Sequence, residues 1–172
     1  MSDDFHSILR RVRDKYTTWI LGSIDETYNA TRDGQNGSSP LAAFILVSCA
    51  IDFMSGFLEG IDSFDSKSSG KIYRKYLERY MPQYNSKDVY RNVRCRLAHN
   101  YTMGDAVALI HNNSTAHDPL GSHGGKIINF ENFYADFRIG VERYFMDLEK
   151  DKQLQKKFLR RSFLGFADVA KP

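Results

Sequence analysis

The stretch Pro40–Glu59 limits the fold of this chain more than any other part of the sequence. Its residues, PLAAFILVSCAIDFMSGFLE, are apolar on nearly every helical face, and a helix of that kind is stable in water only when other elements cover it. The longest apolar run, residues 40–54, contains Ser48 and Asp52 and is shorter than the ~20 residues that span a bilayer. We therefore predict a buried helix in the middle of a helical bundle.

Apolar residues at helical spacing elsewhere in the chain supply helices that could cover this one. The pattern runs from residue 3 to about 32, from 72 to 80 and from 130 to 148, and a basic segment from 151 to about 164 predicts a terminal helix. Ser86 and Asn129 are expected to cap the helices that follow them. At 172 residues the chain suits one domain, which we place over residues 1–172.

Two short apolar runs predict a small sheet. Residues 106–110 and 126–130 are separated by a loop rich in Asn, Gly and Ser, and this pattern is typical of a β-hairpin with a long connection. The expected fold is therefore all-α, an up-and-down bundle of five or six helices that carries a small β-hairpin insertion.

The cysteines and the charged residues indicate which cellular compartment and which class of function to expect. Cys49 and Cys95 give no disulfide framework, and the amino terminus is acidic and then mixed in charge, unlike a signal peptide. We expect a cytoplasmic protein. The net charge of +3 does not by itself indicate nucleic-acid binding, but residues 71–96 and 150–161 are locally basic.

The loop before the second predicted strand carries His111, His117 and His123, whose spacing matches no compact metal-ligand motif. We expect solvent-exposed histidines there and no metal site. The glycine-rich fragment 121–125 lacks the Lys-Ser/Thr ending of a phosphate-binding loop. No cofactor is expected.

The segment YRNVRCRLAHNY, residues 90–101, is built to meet an anion. It places Arg91, Arg94, Arg96 and His99 close together with no acidic residue among them. Arginine binds phosphate oxygens bidentately and keeps its charge, and histidine exchanges protons near neutral pH. These groups suit RNA cleavage by the ribose 2′-hydroxyl, which needs a base, an acid and positive charge but no metal.

One histidine per chain cannot be acid and base in the same step. A two-fold homodimer that brings two copies of the segment together would supply the second histidine. Helical geometry leaves its arginine partner open, because at about 100° per residue Arg94 and His99 lie about 140° apart, whereas Asn92, Arg96 and His99 share one polar face. A helix that ends near His99 would permit the Arg94 pairing, and Arg96 is the geometric alternative.

The residues from Arg94 to Tyr101 consist of an arginine, four residues, a histidine, one residue and a tyrosine. This pattern resembles the signature of the HEPN superfamily, and the likeness extends over roughly residues 40–148. The resemblance implies a small helical domain in which Arg94 and His99 form a metal-independent RNA-cleaving site. Cys95 stands where many members have a polar residue after the motif arginine.

The resemblance also implies partners. RNA would be the substrate, bound with help from Arg91, Asn92, Arg96 and Tyr101, and an antitoxin or nucleotidyltransferase partner is possible because Tyr101 resembles a position that one branch of the family modifies. The function expected is that of an endoribonuclease related to toxins or defence. The alternatives are a catalytically silent HEPN-like module that binds RNA or protein, and a structural helical dimer.

Overall fold

The computed structural model describes residues 2–32, 40–61, 68–100 and 107–162. Two π-helical segments, Tyr16–Leu21 and Val89–Leu97, continue one α-helix into the next. The α-helices are α1 (Ser2–Lys15), α2 (Gly22–Arg32), α3 (Pro40–Glu59), α4 (Ser69–Tyr80), α5 (Ser86–Asp88), α6 (Ala98–Asn100), α7 (Phe130–Lys150) and α8 (Lys152–Arg161), and the strands are β1 (Val107–Ile110) and β2 (Lys126–Asn129). The expected helical bundle with a small β insertion is confirmed.

Helix α3 lies in the core, as its composition predicted. It contacts α2, α4, the second π-helical segment, α7 and α8, and its buried residues include Ala43, Phe44, Val47, Ile51 and Phe57. By length and composition alone it is also the one helix in residues 2–32, 40–61, 68–100 and 107–162 that could cross a membrane. Here its apolar surface is largely buried inside the bundle.

Aromatic side chains from both ends of the chain pack around α3. Phe44 of α3 contacts Phe130 and Phe133 of α7, with ring centroids 5.2 and 6.0 Å away. Phe158 of α8 lies between Phe57 of α3 and Phe5 of α1, with centroids 5.2 and 6.0 Å away. Burial of each such ring contributes about 1.5–3 kcal/mol, so the first and last described helices are held to the same core.

The predicted first helix, residues 3 to about 32, is a continuous helical rod with a π-helical turn in its middle. The wider turn over Tyr16–Leu21 buries Tyr16 against Phe137 and Phe145 and leaves Trp19 half exposed. Short π-helical insertions shift the register of side chains along a helix by one residue. A purely α-helical wheel therefore does not describe both halves of this rod.

The small two-stranded insertion is present, but its strands run parallel, whereas a hairpin is antiparallel. Val107 pairs with Lys126 and Ile110 with Asn129. The connection, residues 111–125, first runs back along the other side of β2, where Asp118 forms an antiparallel bridge with two N–H···O bonds of 2.9 Å to Ile127. A connection of this length can return the chain to the starting edge, which a tight hairpin turn cannot do.

The histidines of that connection are not all solvated, contrary to expectation. His117 accepts a hydrogen bond from the Asn129 backbone N–H on Nδ1 (3.1 Å), so its Nε2 carries the proton and donates to Tyr84 Oη (3.2 Å). Tyr84 in turn donates to Asp136 (2.8 Å). Burial lowers the pKa of His117. His123 is exposed beside Asp118, and no described residues form a cluster of three or more metal-binding side chains.

The structure departs from both predictions of helix N-caps, each in a different way. Asn85, not Ser86, caps α5, because its side-chain oxygen accepts from the N–H groups of Lys87 and Asp88 at 3.1 and 3.2 Å. Asn129 stands at the N-cap position of α7, but its amide donates to side chains of the first helical turn instead of accepting from the backbone.

Candidate functional site

Arg94 and His99 are in direct contact. The Nη1 of Arg94 lies 3.2 Å from Nε2 of His99. Because a guanidinium group can only donate, the ring nitrogen accepts, and the imidazole is neutral with its proton on Nδ1. This is the pair that the motif indicated, and it was not the pair favoured by the α-helical wheel.

The reason lies in the second π-helical segment, Val89–Leu97. Its hydrogen bonds run from residue i to i+5, so residues five apart lie nearly above one another. Arg94 lies within this segment, and His99 lies five residues further on, two residues beyond the end of the segment in α6. The separation of about 140° calculated for an α-helix was therefore wrong for this part of the chain.

The polar face predicted for Asn92, Arg96 and His99 is not present in the structure. Asn92 is 5% exposed and packs inward, so it does not share a solvent face with Arg96 and His99. Arg91 and Arg96 are exposed, and no hydrogen bond or ion pair links the side chain of Arg96 to the described part of the chain. Tyr101 lies outside the described residues. Of the residues expected to bind substrate, Arg91 and Arg96 are thus the two with exposed side chains in the part of the chain that the structure describes.

Asp52 completes the cluster from the core helix. Its Oδ2 accepts from Nε of Arg94 at 3.0 Å, and the side chains of Asp52 and Arg94 are only 19% and 26% exposed. Burial raises the pKa of Asp52, against the opposing effect of Arg94. For Arg94, burial acts to lower the pKa but the charge and hydrogen bond of Asp52 raise it overall. The guanidinium group therefore stays positively charged and is held in a partly buried position.

The sequence analysis did not predict that Asp52 pairs with Arg94 in this site. The one available signal was a carboxylate inside an otherwise apolar helix, and such a group is retained in a core chiefly when a cation pairs with it. Its second oxygen, Oδ1, is buried and has no hydrogen-bond partner among residues 2–32, 40–61, 68–100 and 107–162. The pair is thus bound through one carboxylate oxygen only.

The π-helical segment is positioned by close packing of Tyr90 on the start of α4. A Cβ built at Gly70 would lie 2.7 Å from the Tyr90 ring, so only glycine permits this approach. The Tyr90 hydroxyl is 3.3 Å from Ser69 Oγ, and its ring is 5.5 Å from that of Tyr73. These contacts fix the beginning of the segment, while Asp52 fixes Arg94 in its middle.

Neither cysteine has the surroundings of a nucleophile. Burial, followed by the charge of Asp52, raises the pKa of Cys49, which disfavours the reactive thiolate. Cys95 is half-buried on the π-helical segment. The chemistry that this site can perform therefore belongs to Arg94 and His99.

The arrangement is suited to an anion that can accept several hydrogen bonds. Arginine has five N–H donors, and Asp52 and His99 engage Nε and Nη1, which leaves donors on the guanidinium for phosphate oxygens. His99 is exposed beside it. Comparison with models of protein families, with curated protein sequences and with solved structures gives no significant match.

Proposed function

We propose that this protein is a metal-independent endoribonuclease of the HEPN type, in which Arg94 binds the scissile phosphate and His99 transfers protons. The observation that carries the proposal is the contact of 3.2 Å between Arg94 Nη1 and His99 Nε2, with Arg94 also bound to the largely buried Asp52. A fixed cation next to a neutral imidazole supplies two of the three groups that cleavage through the ribose hydroxyl requires, the positive charge and the base.

The proposed reaction begins when Arg94 turns its free donors to the phosphate and releases Nε2 of His99. That nitrogen takes the proton of the 2′-hydroxyl as its oxygen attacks phosphorus. The bond from phosphorus to the 5′-oxygen breaks, and the leaving oxygen takes a proton from a second, protonated histidine. The products are a 2′,3′-cyclic phosphate and a 5′-hydroxyl. Arg94 stabilises the negative charge that develops on the phosphate oxygens.

The second histidine is proposed to come from another copy of the chain. In a two-fold dimer with the segments from Arg94 to Tyr101 facing each other, His99 of each protomer lies near Arg94 of both. Arg91 and Arg96, both exposed, would then contact phosphates on either side of the cleaved bond. An antitoxin or nucleotidyltransferase partner and a cytoplasmic location remain predictions from the sequence.

The test is cleavage of single-stranded RNA by the purified protein in excess chelator. We expect products with cyclic phosphate ends, and a loss of ~10²- to 10⁴-fold in rate for His99→Ala and Arg94→Ala. Arg96→Ala is the matched control, because it removes a neighbouring exposed arginine that does not contact His99, and it should change the rate by less than about tenfold. Circular dichroism would establish that each variant is folded.

Undiminished cleavage by His99→Ala would eliminate the proposed chemistry. A dimer that binds RNA through Arg94 without cleaving it would favour the silent binding module instead. A monomer with full activity would exclude the shared site.

A further inference from the structure

A small apolar cleft lies between the first helical rod and α3. Its volume is about 240 Å³, and its walls are almost entirely apolar. Clefts that hold drug-sized ligands usually measure roughly 300–1,000 Å³, so this one suits a smaller group. The residues that line it include Trp19, Ile20, Ile24, Leu46, Cys49 and Phe53, and we call it the Trp19 cleft.

Trp19 is one of four large apolar side chains that are exposed in the described part of the chain. Half of its surface meets solvent (50%), although it is the largest apolar side chain in the protein. The ammonium group of Lys15 lies 5.2 Å from the centre of its ring. An exposed indole beside an ammonium group offers a flat apolar face and a positive charge in one place.

The Trp19 cleft adjoins the Arg94 cluster across one strip of α3. Cys49 lines the cleft and is also close enough to Asp52 and Arg94 for both charges to act on its thiol. At about 100° per residue, Cys49 lies on the helix surface between Phe53, which faces the cleft, and Asp52, which faces Arg94. The Trp19 cleft and the Arg94 cluster therefore lie within one helical turn of each other along α3.

We propose that the Trp19 cleft is a base-binding subsite, which receives one unpaired base of the RNA strand whose phosphate is bound at Arg94 and His99. The position of the strand rests on the function proposed above. Trp19 and Phe53 supply faces for stacking, and the positive charges of Lys15, beside Trp19, and of Arg94 favour a negatively charged strand. Stacking on aromatic rings tolerates any base, so the subsite selects single-stranded over paired RNA rather than one sequence.

Trp19 is the single tryptophan of the chain, so its fluorescence reports on this cleft alone. The probe is a short single-stranded oligonucleotide with 2′-O-methyl groups, which lacks the nucleophile and cannot be cleaved by the proposed route. We expect its titration to quench the tryptophan emission. The same oligonucleotide in a duplex should quench far less, because its bases are already stacked.

Affinities of the variants come from the anisotropy of a labelled oligonucleotide. Trp19→Ala should weaken binding roughly five- to hundredfold, the range for loss of one base–aromatic stack, and Trp19→Phe should restore most of the affinity. Ile139→Ala is the matched control, since Ile139 is also a half-exposed apolar residue (49%) but lies on α7 and does not line the cleft.

The failures of the two proposals are distinguishable. Quenching with unchanged cleavage by His99→Ala would leave the subsite standing and remove the ribonuclease. Cleavage that requires His99, without quenching and with unaltered affinity in Trp19→Ala, would overturn the subsite. Equal quenching by single strand and duplex, or an equal loss of affinity in Ile139→Ala, would also overturn it.

Discussion

Replacement of Asp52 by alanine tests whether this carboxylate fixes Arg94. The change leaves the guanidinium 26% exposed but without its ion-pair partner. Loss of one partner from a fully buried pair costs about 3–5 kcal/mol, and an exposed pair contributes about 0–1 kcal/mol. For side chains that are 19% and 26% exposed we expect an intermediate cost of about 1.5–3 kcal/mol, the range for a hydrogen bond to a charged group.

The chain offers a matched control on the same helix. Glu59 of α3 also pairs with cations, Lys75 at 3.0 Å and Lys157 at 3.8 Å, but both lysine side chains are more than two-fifths exposed. Glu59→Ala should cost at most about 1 kcal/mol. Urea unfolding would measure both variants, with a lower midpoint and an unchanged slope for Asp52→Ala.

A double-mutant cycle isolates the pair itself. Asp52→Ala and Arg94→Ala should be coupled by about 1–3 kcal/mol, because each change removes the same interaction. The rate of RNA cleavage should fall in Asp52→Ala through poor placement of Arg94, while Asp52→Asn, whose amide oxygen can still accept from Nε, should recover part of it. A coupling energy near zero, or a cost for Asp52→Ala no larger than for Glu59→Ala, would refute the reasoning.

Three further predictions concern stability. Because the pKa of His117 is lowered on folding, the unfolded chain takes up its proton first, so the free energy of unfolding should decline as pH falls below about 6.5; His117→Asn should flatten this decline in urea titrations at several pH values. Gly140→Ala should lower the midpoint of thermal unfolding, because the new Cβ would lie 3.0 Å from the carbonyl oxygen of Tyr80. Gly22 has open space around it. Gly22→Ala should therefore raise the free energy of unfolding by up to about 1 kcal/mol in the same scans. Ile51→Asp should prevent folding, since it buries an unpaired charge at a cost of several kcal/mol, and a soluble helical variant by circular dichroism would contradict the central position of α3.

The helices could be predicted because each is specified by the spacing of apolar residues within its own segment of the sequence. The period of apolar residues placed α3, α4 and α7 within a few residues of their observed bounds, and the predicted end of α4 at residue 80 is the observed one. The strand positions were also predicted, but their direction was not. That direction depends on the path of the long connection and on the bridge from Asp118 to Ile127, which no short sequence pattern specifies.

The candidate site was predictable only in part. Arg94 and His99 were identified through the motif, while the helical wheel favoured Arg96, because nothing in the sequence distinguishes a π-helical segment from an α-helix. The contact of Arg94 with Asp52 joins residues 42 positions apart and follows from the packing of two helices. Asn92 also lies in the π-helical segment and is buried, so the polar face that the α-helical wheel predicted is not present.

The central place of α3 has a consequence for synthesis of the protein on the ribosome. Its apolar surface is completed only when α8 packs against it, and about a hundred residues separate the ends of these two helices. At ~5–20 residues per second, translation takes on the order of 5 to 20 s to cover that interval. During this time part of the apolar surface of α3 in the nascent chain is exposed to the surroundings. Ribosome-bound chains that end before Lys152 should therefore require a chaperone to stay soluble. Chains that are released with α8 should not.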